Sequence, residues 1–575
     1  MELTCKNCGA SLNLVDRTRA VCPYCGQTYM IDEAKGVLVD LSISYDESAG
    51  TRRNMRNVKW ILLAFLVVGG FLASVIFAYN IAAKNSKFSA SDLFSVAEEE
   101  GQILKVFCKD IFGKEYRQIT KEEFAQIKYI RYDSVREGDE SLMAIYYSFT
   151  DYEDCASEEE FFETVQVWTH GSDGMMWPSN FTMFTGLTRI DTRNTIWLSQ
   201  LRFSKKAHIS CVQTDDSIET ISSVLNPEDI KVLQTKRAEL DGIEEYTNLE
   251  TLIVDTNMGN DAVDLSEIRA CTKLKTLYLH CGEAYVGCDS LADLEELESL
   301  YIDHISLSQC GFLHELTQLK YLTIATGENP DLTILTNLTH LRKLVFVDNE
   351  YIAPEELAKL ECLTELEELE VDVDNKEALN VLQGLSGLKR LSVDAYIHER
   401  VGFDNTRIDL SAFSRLKNLE KLVFDNGDNT DFIGVEQLLK QLQFKSLQIG
   451  SNLGRNHKLL IDTNALDDNL SVTEIKLARC VPIDAVTEEN TDFGFLTHYS
   501  NMTTLYLDEC EVANIDFISN LTNLRLCSLR ENEIMNFAAL QACKKLEAVD
   551  VYGNPCTDVD LSSEIVMNSA YEDLW

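Results

Sequence analysis

A repeated spacing of apolar residues dominates the chain from residue 249 to residue 551. Three apolar positions recur in the order apolar-x-x-apolar-x-apolar, and the first residues of consecutive units lie 22 to 31 positions apart. Alternating apolar residues place one face of a short strand in a core, so the pattern predicts a stack of β-strands. The thirteen triplets are Leu249-Leu252-Val254, Leu274-Leu277-Leu279, Leu297-Leu300-Ile302, Leu319-Leu322-Ile324, Leu341-Leu344-Phe346, Leu366-Leu369-Val371, Leu388-Leu391-Val393, Leu419-Leu422-Phe424, Phe444-Leu447-Ile449, Val472-Ile475-Leu477, Met502-Leu505-Leu507, Leu524-Cys527-Leu529 and Leu546-Val549-Val551.

A second apolar pair precedes most of these strands at a step of three residues. Examples are Leu291 with Leu294, Leu313 with Leu316, Leu335 with Leu338, Leu382 with Leu385 and Ile518 with Leu521. We expect short helical or turn segments there, which close each coil on its convex side and complete its slice of core. In the longer units, we expect the extra residues to loop out on one side.

The repetition resembles the leucine-rich repeat family, in particular its bacterial, internalin-like class with 22-residue units, over at least residues 241–556. The resemblance implies an α/β solenoid with parallel β-strands on its concave face, and a role in binding proteins or surface ligands. It also implies an asparagine ladder at the ninth position of each unit, where a side-chain amide satisfies the backbone at the bend. That position holds Asn257, Asn349, Asn452, Asn532 and Asn554, with Cys480 and Cys510 in two further units.

The regions on either side of the repeats carry weaker signals. Leu187 and Ile190 have the strand spacing, and Leu187 lies 22 residues before Ile209. Residues 84–240 are therefore interpreted either as a cap or as divergent early repeats. Residues 557–575 are interpreted as a C-terminal cap or tail.

The segment 60–83, from Trp60 through Ala83, contains no charged side chain and predicts a transmembrane helix. Twenty helical residues span about 30 Å, the thickness of a bilayer core. Four basic residues lie in the linker 31–59 directly before it and two directly after it, which favours a cytoplasmic N-terminus and extracellular repeats in a single-pass protein of the cell membrane. Gly69 and Ala73 have the spacing of packed helix pairs, but nothing else in the sequence supports a dimer.

The net charge of the chain differs between the two sides of this segment. The 575 residues carry a formal net charge of −43. Residues 1–84 contribute 9 basic and 7 acidic side chains, or +2, so the remainder carries −45. So acidic a repeat region disfavours binding to the phosphate backbone of nucleic acids.

Two Cys-x-x-Cys pairs near the N-terminus indicate a metal site. Cys5 with Cys8 and Cys22 with Cys25 supply four thiolates at a spacing suited to tetrahedral zinc. The pattern resembles a zinc ribbon over residues 1–30, with one structural zinc ion and no open position for a catalytic water. Disulfides or redox chemistry are the alternatives, but a redox motif would need one pair beside a βαβ pattern.

Thirteen further cysteines follow residue 84, in the region placed outside the cell. Several fall on buried repeat positions and are interpreted as small hydrophobic residues. Cys281, Cys288 and Cys310 lie in neighbouring units, so a disulfide among them is left open. A large number of free thiols would suit an anoxic habitat or a cytosolic location, and it is the main argument against the proposed topology.

The residues between the buried strand positions should line the concave face. Asp372, Asp394 and Asp425 fall on the same position of consecutive units, which predicts neighbouring carboxylates about 5 Å apart. Tyr278, Tyr301 and Tyr506 occupy the position two residues before the end of their strands and are typical of interface anchors. These six residues form the predicted partner-binding face, for a partner that carries basic groups. A merely solvated acidic surface is the alternative.

These patterns favour a recognition protein over an enzyme. The sequence contains no Gly-rich phosphate loop, no G-x-S-x-G elbow and no H-E-x-x-H pair. The main hypothesis is a membrane-anchored leucine-rich repeat protein with a cytoplasmic zinc ribbon. The alternative is a transmembrane sensor or adaptor that couples extracellular binding to a cytoplasmic partner of the ribbon.

Overall fold

The structure is a computed structural model that describes four short strands between residues 13 and 40 and most of the chain from residue 100 onward. Within residues 100–567 it leaves out 138–139, 156–157, 172–179, 194–195, 257–261, 282–283, 326, 328–329, 348–350, 398–405, 427–428, 451–455, 557–560 and 562–565. The chain divides into two compact units, residues 43–304 and residues 305–575 together with 1–42.

The four N-terminal strands form an antiparallel sheet in chain order: Asn13–Leu14, Arg19–Val21, Thr28–Asp32 and Val37–Asp40. The four cysteines of the predicted zinc ribbon and the predicted membrane segment 60–83 lie outside the described residues. Among the residues that the structure does describe, no helix has both the length and the apolar character needed to cross a bilayer.

The first unit begins with a helix packed on an antiparallel sheet. Helix Glu100–Phe112 inserts the buried Phe107 ring between Tyr147 and Trp168, at centroid distances of 5.3 and 5.5 Å. The sheet is formed by strands Tyr129–Glu137, Glu140–Ser148 and Gln166–Gly171. This module precedes the parallel repeats, and we call it the cap.

Parallel repeats start directly after the cap. Strand Arg189–Asp191 pairs with the cap strand Tyr129–Glu137 on one side and with the next repeat strand on the other. The parallel strands of this unit are Arg189–Asp191, Cys211–Thr214, Val232–Thr235, Thr251–Asp255, Thr276–His280 and Ser299–Ile302.

Arg189 fastens the cap to the first repeat. Its side chain is 3% exposed, and its guanidinium lies over the rings of Tyr152 and Phe161 at 4.9 and 5.1 Å. It also donates a 3.4 Å hydrogen bond to Gln213 of the next strand. A desolvated guanidinium between aromatic faces gains cation–π attraction, so this junction is specific and not merely apolar.

In the described part of the second unit, ten parallel strands follow one another in the main sheet before a short final one. They are Tyr321–Ala325, Lys343–Val347, Glu368–Val373, Arg390–Ala395, Lys421–Asn426, Ser446–Ile449, Glu474–Ala478, Thr504–Asp508, Leu526–Ser528 and Ala548–Asp550. The predicted second apolar position of each triplet is register-matched to that of its neighbour, from Leu322 with Leu344 to Cys527 with Val549, and each is at most 2% exposed. The final pair, Val566–Met567, adds to the last strand. This arrangement is a leucine-rich repeat solenoid.

The return segments are short helices, as the apolar pairs predict. Among the described residues, the α-helices that follow Glu100–Phe112 are Lys121–Phe124, Glu158–Thr164, Ile218–Val224, Pro354–Leu357, Lys376–Leu382 and Val435–Leu439. The 3-10 turns are Tyr116–Gln118, Tyr152–Asp154, Leu198–Gln200, Pro227–Asp229, Ile243–Glu245, Ile268–Ala270, Cys288–Asp293, Leu307–Gln309, Gly311–His314, Leu332–Leu335, Ala358–Cys362, Leu410–Arg415, Thr463–Ala465, Phe493–His498, Asp516–Asn520 and Ala538–Ala542. Side chains such as Asn375 and Asp409 accept hydrogen bonds from the first turn and begin these segments.

The longest units do not simply loop out. Their extra residues form a second parallel sheet of strands Thr406–Asp409, Thr430–Ile433, His457–Ile461 and Cys480–Asp484. Two smaller parallel pairs join Val263–Asp264 to Tyr285–Val286 and Asn180–Phe181 to Arg202–Phe203. The expectation of loops was wrong for these units because neighbouring insertions of similar length can pair with each other.

The asparagine ladder is present at the C-terminal end. Asn532 donates to the carbonyls of Leu507 and Arg530 and accepts from the amides of Cys510 and Val512. Asn554 donates to the carbonyls of Leu529 and Val551 and accepts from the amide of Ile534. The thiols of Cys480 and Cys510 take the same role with longer sulfur contacts. Asn426, which the sequence did not suggest, joins it by accepting a hydrogen bond from the Ile397 amide. Asn257, Asn349 and Asn452 lie outside the described residues.

Candidate partner-binding face

Three carboxylates form a row along the carboxyl ends of adjacent strands. Asp372 is the register partner of Asp394, and Asp394 is the register partner of Asp425. Neighbouring strands lie about 4.8 Å apart, so the three residues lie side by side on adjacent strands. Asp372 and Asp425 are each 9% exposed, and Asp394 is half-buried. We call Asp372, Asp394 and Asp425 the acidic row.

The acidic row ends at Gly450 for a steric reason. Gly450 follows strand Ser446–Ile449 with a positive φ of 87°, and a Cβ placed there would lie 2.2 Å from the carbonyl oxygen of Ala478. No side chain fits at that position without moving the backbone. Ala325 and Val347 hold the same position on the two strands before Asp372, so the row is bounded on both sides by uncharged residues.

The opposite edge of the same strands carries most of the basic side chains of this face. Lys343, Arg390 and Lys421 occupy the first position of their strands, and Lys476 is the third residue of strand Glu474–Ala478, in register with Gln448 and Tyr506 of the central column. We call these four residues the basic edge. Sequence reasoning missed the first three because the first column of the strands was not compared, and it passed over Lys476 because only the tyrosines of the middle column were considered.

Two glutamates lie within the basic edge and hold its side chains in place. Glu368 contacts Lys343 at 3.2 Å and Arg390 at 2.8 Å, while Glu474 contacts Lys476 at 3.1 Å. Burial lowers the pKa of Lys343 and of Lys421, and for Lys421 the neighbouring cations Lys476 and Arg390 add to this effect, while Glu474 opposes it. Each of the four cations nevertheless has a glutamate oxygen within 4.0 Å.

The three predicted tyrosine anchors are less open than expected. Tyr506 is 2% exposed, and the ammonium of Lys476 lies 4.4 Å from its ring centroid. In the other unit, Tyr278 is 6% exposed and stacks on Tyr301 at 4.1 Å, beside Ile253. Most of the Tyr506 and Tyr278 surface is thus used inside the protein.

A second polar row lies in the first unit, beside the stacked tyrosines. Asp255, His280 and Asp303 are consecutive residues of the same column. The His280 ring nitrogen Nδ1 hydrogen-bonds the Asp303 carboxylate, which also accepts from the Tyr285 hydroxyl at 3.3 Å. Burial raises the pKa of Asp255, while His280 opposes that shift. Sequence reasoning gave the histidines no role, although reading the column across units brings His280 between two aspartates.

Within the described residues, the structure contains neither a metal-binding cluster nor a disulfide. No group of three or more His, Cys, Asp or Glu side chains is arranged to hold a metal ion within the described residues. The thirteen cysteines after residue 84, Cys281, Cys288 and Cys310 included, are free thiols. Burial raises the pKa of Cys480 and of Cys510, which keeps both as unreactive thiols.

Comparison with known proteins finds similar folds among solved structures. No protein-family model and no curated protein matches the chain. An internalin, InlF, from Listeria monocytogenes strain 4b F2365 is 21% identical, covering 53% of this chain and 88% of its own, with a TM-score of 0.38. A leucine-rich repeat protein of Leptospira interrogans is 14% identical, covering 65% and 86%, with a TM-score of 0.40. The functional domain of InlJ from Listeria monocytogenes, described as including a cysteine ladder, is 16% identical, covering 64% and 70%, with a TM-score of 0.35. The fold assignment itself rests on the strand register of this chain.

Proposed function

We propose that this chain is a membrane-anchored leucine-rich repeat protein that binds a protein partner on its concave face and is not an enzyme. One observation carries the proposal, namely the register of Asp372, Asp394 and Asp425 on three adjacent strands. Carboxylates about 4.8 Å apart repel each other, so a partner that brings basic groups to the row relieves this repulsion on binding. Such complementarity mainly steers association and selects the partner.

The anchoring part of the proposal comes from the sequence. Residues 60–83 form the transmembrane helix, with the N-terminus in the cytoplasm and the repeats outside the cell. Cys5, Cys8, Cys22 and Cys25 hold one structural zinc ion in the cytoplasmic ribbon, where reducing conditions preserve the thiolates. Zinc binding supplies most of the folding free energy of so small a module.

The binding proposal is tested with a basic probe. An oligolysine peptide is titrated against the full chain in detergent and against the triple variant Asp372→Asn, Asp394→Asn, Asp425→Asn. Each lost pair changes affinity by a factor of about two to three, so we expect roughly tenfold weaker binding that shrinks at high salt. The matched control replaces three exposed aspartates away from the concave strands, Asp467, Asp468 and Asp516, with asparagine. Equal loss in both variants would contradict a role for the acidic row.

The topology is tested by protease treatment of intact cells that express the chain with a tag at each end. We expect loss of the C-terminal tag and survival of the N-terminal tag. Metal analysis of the purified chain should find one zinc ion per molecule, and none after Cys5→Ser with Cys22→Ser. Survival of the C-terminal tag would refute the extracellular placement of the repeats.

A further inference from the structure

Basic and acidic residues alternate at the carboxyl ends of the six parallel strands of the first unit. They lie two positions beyond the register-matched middle column that includes Tyr278 and Tyr301. In chain order these residues are Arg193, Asp215, Lys236, Asp255, His280 and Asp303. Every step of this column therefore joins a basic residue to an acidic one. Among its three basic members, His280 is the one whose charge depends on pH near neutrality.

His280 stands where the alternation calls for a cation. Lys236, the preceding basic member, has its ammonium 3.5 Å from the Asp215 carboxylate of the adjacent strand. His280 likewise reaches the carboxylate of an adjacent strand, because its Nδ1 hydrogen-bonds Asp303. On its other side, His280 is the register partner of Asp255. An imidazole between two carboxylates is the arrangement that favours the protonated ring.

Both flanking carboxylates are poorly solvated. Asp303 is 2% exposed and also accepts a 3.3 Å hydrogen bond from the Tyr285 hydroxyl. The Oδ1 atom of Asp255 is buried and has no hydrogen-bond partner among the described residues. Burial raises the pKa of Asp255, and the positive charges that oppose this shift are His280 first and Lys236 second. The charged form of Asp255 therefore depends on a cation in the His280 position.

The other titratable groups around His280 add little charge near neutral pH. Burial raises the pKa of Cys281 to about 12 and raises that of Tyr285 as well, so both side chains stay neutral. The Tyr301 ring lies edge-on to the His280 ring, with 6.4 Å between the centroids. His304 is exposed, and its Nε2 lies 3.9 Å from the Asp303 carboxylate, farther than the His280 contact.

We propose that Asp255, His280 and Asp303 form a proton-controlled clasp between three adjacent strands of the concave face. We call these three residues the histidine clasp. The protonated ring joins Asp255 of one strand to Asp303 of the strand after next. When the proton is lost, two poorly solvated carboxylates remain on either side of a neutral ring, and the strand ends and the Tyr301 contact loosen. The stabilisation is fully present below the ordinary pKa of histidine, about 6.5, and is lost as the pH rises through the higher titration midpoint of the folded state. The switch lies in the first unit and does not depend on the acidic row.

A titration of the histidine rings by NMR tests the proton itself. The full chain in detergent carries 13C-labelled histidine, and the His280 signal is the one that disappears in His280→Gln. The reference is His314, which is exposed and contacts Asn337. We expect His280 to titrate at least about one pH unit above His314, as for a group beside opposite charges. Asp255→Asn and Asp303→Asn should each move the His280 midpoint toward that of His314.

Urea unfolding between pH 6 and pH 9 tests what the proton does. His280→Lys keeps a cation at this position throughout the range, whereas His280→Gln never has one. We expect the wild-type chain to match His280→Lys at pH 6 and to approach His280→Gln at pH 9. Relative to His280→Lys, its unfolding constant should rise about tenfold, which corresponds to a displacement of the titration by one pH unit. The matched pair His314→Lys and His314→Gln should show no such pH-dependent difference.

The clasp is overturned by any of three results. The first is a His280 midpoint at or below that of His314, and the second is a midpoint that Asp255→Asn or Asp303→Asn leaves unchanged. The third is a wild-type chain that follows His280→Gln at every pH. If His280→Gln does not fold, His280→Lys identifies the His280 signal and the wild-type titration decides alone. None of these results bears on the acidic row, so the clasp and the proposed function fail separately.

Discussion

Removal of the Asn532 side chain should open the C-terminal repeats locally. This buried amide donates to the carbonyl oxygens of Leu507 and Arg530 at 2.6 and 2.9 Å, and it accepts from the amides of Cys510 and Val512, both at 3.0 Å. Each hydrogen bond contributes about 1 kcal/mol net. Asn532→Ala should therefore cost about 4 kcal/mol, since alanine leaves these backbone groups without a partner in a dry core.

The two cysteines of the ladder, Cys480 and Cys510, show what a weaker hydrogen-bonding side chain does at the same position. At Cys510 the thiol accepts from the Cys480 amide at 3.4 Å and contacts the carbonyl oxygens of Leu477 and Asp508 at 3.5 and 3.3 Å. A thiol has one weak donor in place of two amide hydrogens. Asn532→Cys should accordingly cost about 2 kcal/mol, half as much as Asn532→Ala.

Hydrogen exchange followed by mass spectrometry measures this effect where it occurs. In the alanine variant, the amides of Cys510 and Val512 should exchange on the order of 10³-fold faster, the equivalent of about 4 kcal/mol of local opening. Asn520→Ala is the control, because Asn520 is exposed and makes only a 3.4 Å contact with Phe517. If Asn532→Ala accelerated exchange no more than Asn520→Ala, the ladder would not hold these coils together.

Three further predictions concern buried ionisable groups. Burial raises the pKa of Asp550 to about 7 from 3.8, so the folded state binds this proton more tightly than the unfolded state does. The resulting stabilisation is fully present below about pH 4, and about 4 kcal/mol of it is lost by about pH 7. Asp550→Asn should therefore remove this pH dependence from the urea midpoints. Burial, with a contribution from Arg479, lowers the pKa of His457 to about 4 from 6.5. The neutral imidazole therefore contributes about 3 kcal/mol of stability above about pH 6.5, which is lost as the pH falls to about 4. His457→Phe should make the free energy of unfolding less sensitive to acid, and an unchanged decrease of stability below about pH 6.5 would refute this. A thiol reagent should label the exposed Cys362 in the native chain but Cys510 only after unfolding, and rapid native labelling of Cys510 would contradict its burial.

The regular repeats were predictable because their signal is purely apolar. The early repeats were not recognised from the sequence, because threonine replaces the third apolar residue of each triplet. Thr192 donates to the Thr214 hydroxyl at 2.8 Å, Thr214 donates to the Asp216 carboxylate at 2.9 Å, and Thr235 donates to the Asp216 carbonyl. These hydroxyls satisfy one another, so polar residues sit in the core at little cost. The first two apolar positions persist as Leu187 with Ile190, Ile209 with Val212 and Ile230 with Leu233, and all six residues are at most 2% exposed.

The positions of the acidic row were also predictable, because register follows from the buried leucines. The charged residues around the row were not predicted, because they become visible only when several strands are aligned side by side. The second sheet shows the same limit. His457 pairs in register with Cys480, 23 residues later, and nothing in either local sequence indicates that two insertions meet.

Charge alternation along the rim of the strands favours the correct order of the units in two stretches of the chain. The residue before the strand alternates in sign from Lys231 through Glu250 and Lys275 to Glu298 in the first unit, and from Arg342 through Glu367, Lys389 and Glu420 to Lys445 in the second, whereas Lys320 and Arg342 adjoin with the same sign. Neighbours form ion pairs, with Lys275 to Glu250 at 3.0 Å, Lys389 to Glu367 at 2.8 Å and Lys445 to Glu420 at 2.7 Å. Each exposed pair contributes little to stability, about 0.2–1 kcal/mol. A coil that skipped its neighbour would instead bring like charges together, so the alternation acts mainly against misordered stacking. The concave face breaks this rule, because Asp372, Asp394 and Asp425 repeat one sign on three adjacent strands. Alternation on the rim thus favours correct stacking, whereas three adjoining aspartates do not, so stacking alone does not account for the acidic row and the proposed function does.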